Sequence, residues 1–279
     1  NDKTVVGIGV GAPFGLVTDY GDSWQGRYHA IRSDLLTVNI NPSIAFKTTE
    51  KLSLGFGINL QYIDLELSQA ANFGAFTGAP QQNDGRVRLT ADDWSWGYNL
   101  GMTYQFTEAT RMGISYRSKI THDLTGDGEF RIPENFSAAA AASGIRDGNI
   151  GGRVTLPESA SIALIHQLNS QWSFMADASW TRWSRFEELR INSDGVAYDE
   201  TPIPNAQRRT PRIPDSDRTW LALGASYHYS ENIILDAAYS HIFMKDTSID
   251  DTDSNGNQLL GSYKNSVDIV GVQLRWLFD

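Results

Sequence analysis

Two cations, Arg117 and Lys119, lie two residues apart in the segment MGISYRSK. Because side chains alternate between the two faces of a strand, this spacing puts both cations on the face that also carries Gly113 and Ser115. A guanidinium or an ammonium group can bind a carboxylate in such a position. The competing interpretation is that they pair with inward-facing aspartates of other strands, which are Asp177, Asp236 and Asp268.

Two loop segments, one polar and one partly apolar, offer further binding chemistry. In SWQGRYHAIRS, His29 with Arg27 and Arg32 could contact anionic groups such as phosphates, or could instead form hydrogen bonds between loops. In LSQAANFGAFTGAPQQNDG, the apolar residues form a patch that indicates either binding or packing against a rim. These residues are Leu67, Ala70, Ala71, Phe73 and Phe76.

Catalytic and metal chemistry has little support in this chain. Cysteine is absent, which excludes thiolate nucleophiles, thiolate metal sites and disulfides. The serines and histidines show no nucleophile-elbow motif. The acidic run SIDDTDSNGN at 248–257 resembles a calcium loop but has no closing glutamate, so we expect adventitious divalent binding at most. We therefore expect no enzyme activity, no cofactor and no metal.

The elements that carry these residues are strands. Every second residue of WSWGYNLGMTYQF at 94–106 is large and apolar, and the residues between them are small or polar. A period of two indicates a β-strand. The large residues are Trp94, Trp96, Tyr98, Leu100, Met102, Tyr104 and Phe106.

The same alternation recurs along the chain and predicts about ten strands. It is clear near residues 6–10, 38–46, 52–62, 112–116, 172–180, 221–229 and 270–278, and weaker at 158–168 and 232–243. Short turns alternate with long polar connections, which we predict to be loops, at 12–35, 68–90, 120–157, 190–217 and 244–265. The result is an antiparallel up-and-down meander with two different ends.

Tall apolar faces with aromatic ends and small polar opposite faces are typical of a transmembrane β-barrel. A soluble sandwich or lipocalin-like barrel is the alternative, but its surface would be Gly, Ser and Asn with few charges. The net charge of -10 disfavours nucleic acid as a partner. The fold prediction is therefore an all-β transmembrane barrel in a single domain, residues 1–279.

Two long segments, GVGAPFGLVTDYGDSWQGRYHAIRSDLLTVNINPSIAF and LPESASIALIHQLNSQWSFMADASWTRWSRFEELRI, resemble the FadL family of Gram-negative outer-membrane channels. RIPDSDRTWLALGASYHYS supports the same resemblance. The resemblance implies a barrel of about fourteen strands, an N-terminal hatch, an outer capture groove near the loop 68–90, and a side opening near a kinked early strand. We expect Gly7, Gly9 and Gly11 to border that opening, although a narrow lumen face would also explain them.

The sequence departs from the family pattern in two places. It starts at what resembles the third strand, so we expect the hatch to be missing, and about one hairpin to be missing near Gly195 and Val196. Asp279 also follows Phe278, where family members end on an aromatic residue that the barrel assembly machinery reads.

The resemblance implies passive uptake of long-chain fatty acids by a monomer in the Gram-negative outer membrane. Arg117, Lys119, Phe73, Phe76 and His29 would contact the substrate, and outer-membrane lipid and lipopolysaccharide would surround the barrel. The alternatives are uptake of aromatic or alkane hydrocarbons, or a truncated or resized barrel that acts only as a non-selective pore or a scaffold.

Overall fold

The computed structural model describes residues 3–142, 144–182, 189–193, 198–200, 218–230, 232–244, 246–252 and 258–276. No described helix is long and apolar enough to cross a membrane. The predicted gap near Gly195 and Val196, and the terminal Phe278 and Asp279, lie outside the described residues.

The described chain is almost entirely strand. Two short 3-10 helices, Phe73–Thr77 and Glu134–Phe136, and one α-helix, Ser137–Ala142 (α1), interrupt it. The strands are β1 Thr4–Gly11, β2 Gly15–Asp19, β3 Arg32–Lys47, β4 Leu52–Asn72, β5 Asp84–Thr107, β6 Thr110–Arg117, β7 Ile120–Arg131, β8 Gly148–Leu156, β9 Ser159–Gln167, β10 Trp172–Thr181, β11 Leu189–Ser193, β12 Tyr198–Glu200, β13 Arg218–Ser230, β14 Ile233–Met244, β15 Thr247–Thr252, β16 Gln258–Tyr263 and β17 Ser266–Trp276.

All the described pairings are antiparallel, and the predicted all-β barrel wall is confirmed. The wall runs through ten strands in the order β1, β3, β4, β5, β6, β9, β10, β13, β14 and β17. Among the described residues, β1 pairs only with β3, and β17 only with β14. Large apolar side chains cover the outward face of the wall, with Trp96 69% exposed and Val272 79% exposed.

The prediction of long polar loops is wrong over much of their length. β4 continues to Asn72, β5 begins at Asp84, and most of the predicted loop 120–157 forms β7 and β8. Together with β2, β11 and β12, these segments form an upper sheet at the end of the wall that carries the long connections. The segments are polar overall because their outward faces carry charges, yet they keep the period of two.

Both faces of each long strand change polarity at the same height. On the outward face of β4, Leu60 and Tyr62 are followed by Asp64 and Glu66, while the inward face changes from polar Gln61 to Ile63, which is 0% exposed. The apolar inward residues of the upper sheet form one cluster, the upper core. Its members are Leu35, Ile63, Leu65, Leu67, Leu89, Ala91, Leu124, Ile150, Val154 and Leu156.

Two paired irregularities separate the wall from the upper sheet. Arg117 of β6 faces Ser159 of β9, whereas Ile120 of β7 faces Leu156 of β8. Residues 118–119 and 157–158 lie between these two pairs and are not paired with each other in this register. The inward-facing residues therefore have odd numbers in β6 and β9 and even numbers in β7 and β8. This change turns β7 and β8 so that their apolar residues face the upper core.

The upper core predicts different costs for two isoleucine truncations on one strand. Ile63→Ala leaves a cavity among protein side chains and should lower the free energy of unfolding by about 2–5 kcal/mol. Ile58→Ala removes a lipid-facing side chain whose space lipid can fill, so the cavity contribution is absent and the cost should be smaller. Urea unfolding in lipid vesicles measures both, and equal costs would contradict a packed upper core.

Candidate functional site

The candidate site is the inward face of the wall, directly below the upper core. Cross-strand partners define one row of inward side chains that passes over seven strands. The row consists of Gly7, Ser43, Gly57, Asn99, Arg117, Ser159 and Thr181. Arg117 is the one cation in a row of otherwise small or neutral side chains.

Arg117 lies between Asn99 on β5 and Ser159 on β9. Its Nη1 atom is buried and has no hydrogen-bond partner among the described residues. A buried guanidinium nitrogen without an acceptor is costly, because its desolvation is not offset by a new hydrogen bond. The N–H of this atom can therefore donate to a carboxylate or a phosphate oxygen.

Lys119, the second predicted cation, occupies a different setting. Lys119 lies between the end of β6 and the start of β7, and it is exposed. Because the inward face changes from odd-numbered to even-numbered residues here, Lys119 does not share the face of Arg117, although it follows Arg117 by two residues.

Beside Arg117, four asparagines from three adjacent strands form an amide cluster of Asn39, Asn41, Asn59 and Asn99. Asn41 Nδ2 donates to Asn99 Oδ1 at 2.6 Å and to Asn59 Oδ1 at 3.2 Å. Gly57 makes room for the cluster, since an added Cβ would lie 2.7 Å from Asn99 Oδ1 and 2.8 Å from Asn41 Nδ2. The cluster gives the lumen a polar lining that carries no charge.

Above the amide cluster, His122 marks the junction with the upper core. The residue is 0% exposed, and its Nδ1 and Nε2 lie 3.0 Å from Asp93 Oδ2 and 3.1 Å from Gln61 Oε1. Sequence reasoning missed His122 because it lies in a segment that we predicted to be a loop. The alternation of Ile120, His122 and Leu124 against threonine and aspartate was the signal that could have found it.

A cavity of about 390 Å³ is lined by Ser159, the cross-strand partner of Arg117, and a second one of about 400 Å³ lies toward the short-turn end. The first is lined by Pro13, Phe14 and Trp220 and by small residues such as Ser159 and Thr181. Both cavities are lined by Ser115 and Ser161, so they are neighbours along the inward face. The sequence alone did not identify Phe14 or Trp220. The alternation along β13 was the signal for Trp220, because its neighbour Leu221 faces outward and Trp220 therefore faces inward.

The early strand is interrupted beside this cavity. β1 ends at Gly11 opposite Asn39, and β2 starts at Gly15 opposite Leu36, so three residues on one strand face two on β3. Thr37 holds the interruption: Phe14 N donates to its Oγ1 at 3.0 Å, and that hydroxyl donates to Phe14 O at 2.6 Å. An added Cβ at Gly9 or Gly11 would meet nothing within 4 Å, and one at Gly7 only Ser43 Oγ at 3.8 Å.

The polar loop residues pair within the protein. His29 is 8% exposed, and its Nδ1 lies 2.8 Å from Asp251 Oδ2 on β15. Arg27 binds Asp84 at 2.7 Å, and Arg32 binds Asp34 at 2.5 Å. These contacts favour the interpretation that this segment joins loops to one another.

The apolar loop residues are also largely packed. Phe73 is 4% exposed and lies 5.7 Å from the ring of Phe136, and Ala70 packs with Tyr28 and Ile31. The side chain of Phe76 and residues 253–257 of the acidic run lie outside the described part of the chain.

Of the three aspartates predicted to face inward, Asp236 binds Arg275 with Nε–Oδ2 and Nη2–Oδ1 distances of 2.8 and 2.9 Å. The placement of Asp268 was wrong: it pairs with His241, which faces Leu221, and so lies on the outward face. The alternation along β17 already indicates this face, because Asp268 has the same parity as the outward Val270 and Val272.

Comparison with known proteins adds a family match. The family model "Outer membrane protein transport protein (OMPP1/FadL/TodX)" matches residues 1–194 and 193–278. Outer membrane protein P1 of Haemophilus influenzae is 27% identical over 87% of this chain and 63% of its own length. A long-chain fatty acid transport protein of Escherichia coli O6:H1 is 26% identical over 86% of this chain and 67% of its own. The chain thus spans about two thirds of the length of these relatives.

Solved structures share the fold. The structure of a Pseudomonas aeruginosa FadL homologue matches with a TM-score of 0.80 and 25% identity, covering 99% of this chain and 76% of that one. The Ralstonia pickettii toluene transporter TbuX matches with a TM-score of 0.64 and 22% identity, covering 86% of this chain and 66% of that one.

Tyr28 provides a test of how the loop 20–31 is held. Its hydroxyl donates to Asp84 Oδ1 at 2.6 Å, and burial together with that carboxylate raises its pKa to about 12. The fold therefore favours the neutral phenol, so the stabilisation is complete below the unfolded pKa of about 10 and is lost as the pH rises through about 12. Near-UV circular dichroism during urea unfolding should show this loss, and Tyr28→Phe should reduce it. Tyr229→Phe, at an exposed site, is the control and should leave the pH dependence unchanged.

Proposed function

Because this chain belongs to the outer membrane transport protein family OMPP1/FadL/TodX, we propose that it takes up long-chain fatty acids passively. The family consists of outer-membrane transport proteins rather than enzymes. The observation that carries the fatty-acid assignment is the buried Nη1 of Arg117, which has no hydrogen-bond partner among the described residues. Ser159, the cross-strand partner of Arg117, lines the lumen cavity.

The carboxylate end of the substrate binds Arg117. A planar guanidinium pairs with a carboxylate through parallel N–H···O bonds, and the pair is strong where water is scarce. Asn99 and Ser159 flank Arg117 in register and are available to hydrogen-bond the second carboxylate oxygen. Lys119, exposed in the interruption above, attracts the anion before it enters.

The hydrocarbon tail occupies the cavity beside Arg117. Pro13, Phe14 and Trp220 supply its apolar surface, and the small residues of the wall leave the space unfilled. The loops above, to which Phe73, Phe76 and His29 belong, form the first contact surface for the substrate. Phe73 and His29 are themselves buried, so they shape that surface from below.

The exit is lateral, at the interruption after β1. Gly7, Gly9 and Gly11 leave the inward face open there, and Thr37 is the polar group that fixes the backbone at its upper edge. An apolar tail that leaves through the wall enters lipid directly and avoids the wet lumen, which lowers the cost of transfer.

Uptake of aromatic or alkane hydrocarbons is the second candidate. The aromatic lining of the cavity favours it, as does the likeness of fold to the toluene transporter TbuX. A hydrocarbon has no group for Arg117, so the two candidates differ in their dependence on this residue. A non-selective pore or a scaffold depends on neither the residue nor the cavity.

Replacement of Arg117 tests the assignment. Arg117→Gln should weaken fatty-acid binding about 10- to 100-fold, because a hydrogen-bonded charge pair contributes roughly 1.5–3 kcal/mol. Arg117→Lys should retain part of the binding, since it keeps the charge but loses the planar fork. Lys119→Gln is the matched control and should have the smaller effect. Uptake of a labelled fatty acid into proteoliposomes measures all three.

Three outcomes would contradict the proposal. Wild-type fatty-acid uptake by Arg117→Gln would remove the assigned carboxylate site. Toluene uptake that exceeds fatty-acid uptake and is indifferent to Arg117→Gln would favour the hydrocarbon candidate. Ohmic conductance without saturable uptake would indicate a non-selective pore.

A further inference from the structure

The first lumen cavity, of about 390 Å³, is lined by a cluster of hydroxyl groups that a plain alkyl tail cannot use. Ser161 is at its centre, because it faces Ser115 on β6 and Ser179 on β10. Ser159 faces Thr181 in the row that also contains Arg117. The hydroxyl cluster therefore consists of Ser115, Ser159, Ser161, Ser179 and Thr181, all of which line the cavity.

The hydroxyl cluster is confined to the height of this cavity. On the same three strands, the next inward residues toward the short-turn end are Gly113, Ala163 and Asp177. Of these three only Asp177 has a polar side chain. A general polar lining of the lumen therefore does not account for the concentration of hydroxyls beside the cavity.

Most of the cluster has hydrogen-bonding capacity left over. Ser115 Oγ and Ser161 Oγ lie 2.7 Å apart and bind each other. The hydroxyls of Ser159, Ser179 and Thr181 bind no other side chain or backbone group in the described part of the chain. An alkyl chain packed against them would displace water without replacing its hydrogen bonds, which costs free energy. The lining thus favours a ligand with a polar group at this point.

We propose that the cavity binds fatty acids that carry a hydroxyl group on the chain, close to the carboxylate. The inference rests on the proposed function, because it takes Arg117 as the carboxylate site. Ser159 is the cross-strand partner of Arg117, and Thr181 follows in the same row. The Cβ atoms of cross-strand partners are roughly 4.5–5.5 Å apart. A hydroxyl bound by Ser159 or Thr181 therefore lies only a few bonds from the carboxylate.

The charges around the cluster disfavour other polar groups on the chain. An ammonium group would be repelled by Arg117, and a second carboxylate by the exposed Asp177, which lies two residues from Ser179 on the same face. A keto group only accepts hydrogen bonds, whereas a hydroxyl donates to one member of the cluster and accepts from another. The rest of the chain lies against Phe14 and Trp220.

Calorimetric titration of the wild-type protein in detergent with three acids tests the proposal. The acids are palmitate, palmitate hydroxylated on its third carbon, and palmitate hydroxylated on its terminal carbon. The third-carbon form should bind about 3- to 10-fold more tightly than palmitate, which is the effect of one net hydrogen bond. The terminal form should bind no more tightly than palmitate, because its hydroxyl enters the apolar part of the cavity.

A double variant, Ser179→Ala with Thr181→Val, removes two hydroxyls and keeps the side chains close to their original size. The ratio of the Kd of palmitate to that of the third-carbon form should fall toward one. Ser173→Ala is the matched control, because Ser173 faces inward on the same strand but lines neither cavity, and it should keep the wild-type ratio. Partitioning of the acids into detergent is common to all the proteins and cancels when their ratios are compared.

Equal binding of palmitate and the third-carbon form by the wild type would overturn the inference. So would equally tight binding of the terminal form, or a preference that survives in a double variant that assembles normally. Failure of the proposed function is distinguishable from these results. If Arg117→Gln binds palmitate as the wild type does, both proposals fail; if palmitate binding depends on Arg117 but the hydroxyl gives no preference, only this inference fails.

Discussion

A strand that passes from a bilayer into water must exchange the character of both of its faces, and the rest of this structure depends on that exchange. Inside the bilayer the outward face has to be apolar, and the inward face lines a lumen. In water the outward face has to be polar, so a stable sheet needs its apolar residues inside. β4 makes the exchange between Tyr62 and Asp64 outside, and between Gln61 and Ile63 inside.

The exchange creates the candidate site. Where the inward faces become apolar, they fill the interior of the upper sheet with the upper core. Immediately below, the inward faces are small or carry amides, so space remains, and the cavities near Arg117 occupy it. His122, with Asp93 and Gln61, lies at the boundary and satisfies polar groups that would otherwise end in a dry core. An amphipathic ligand matches such a boundary because its two ends have opposite requirements.

Charge on the two faces of the wall follows the same principle. Inside, Asp236 and Arg275 neutralise each other, and the buried guanidinium nitrogen of Arg117 has no such partner among the described residues. Outside, Asp268 accepts hydrogen bonds from Tyr239 and His241. The incomplete partners of Arg117 among the described residues are the physical basis for proposing a ligand inside the wall.

The sequence by itself determined the strands of the wall and the side to which most residues point, because a period of two fixes the face of a residue within one strand. It also determined that Arg117 faces inward. It failed for the upper sheet, where charges on the outward face made strands resemble loops. The prediction for Asp268 was wrong although the alternation of Val270 and Val272 on the same strand puts that residue on the outward face. Only the tertiary structure decided which residues meet across strands, since the irregularities at 118–119 and 157–158 change the parity of the inward face. The amide cluster, the cavity at Trp220 and the position of Arg117 Nη1, which lacks a partner in the described part of the chain, all depend on those cross-strand alignments.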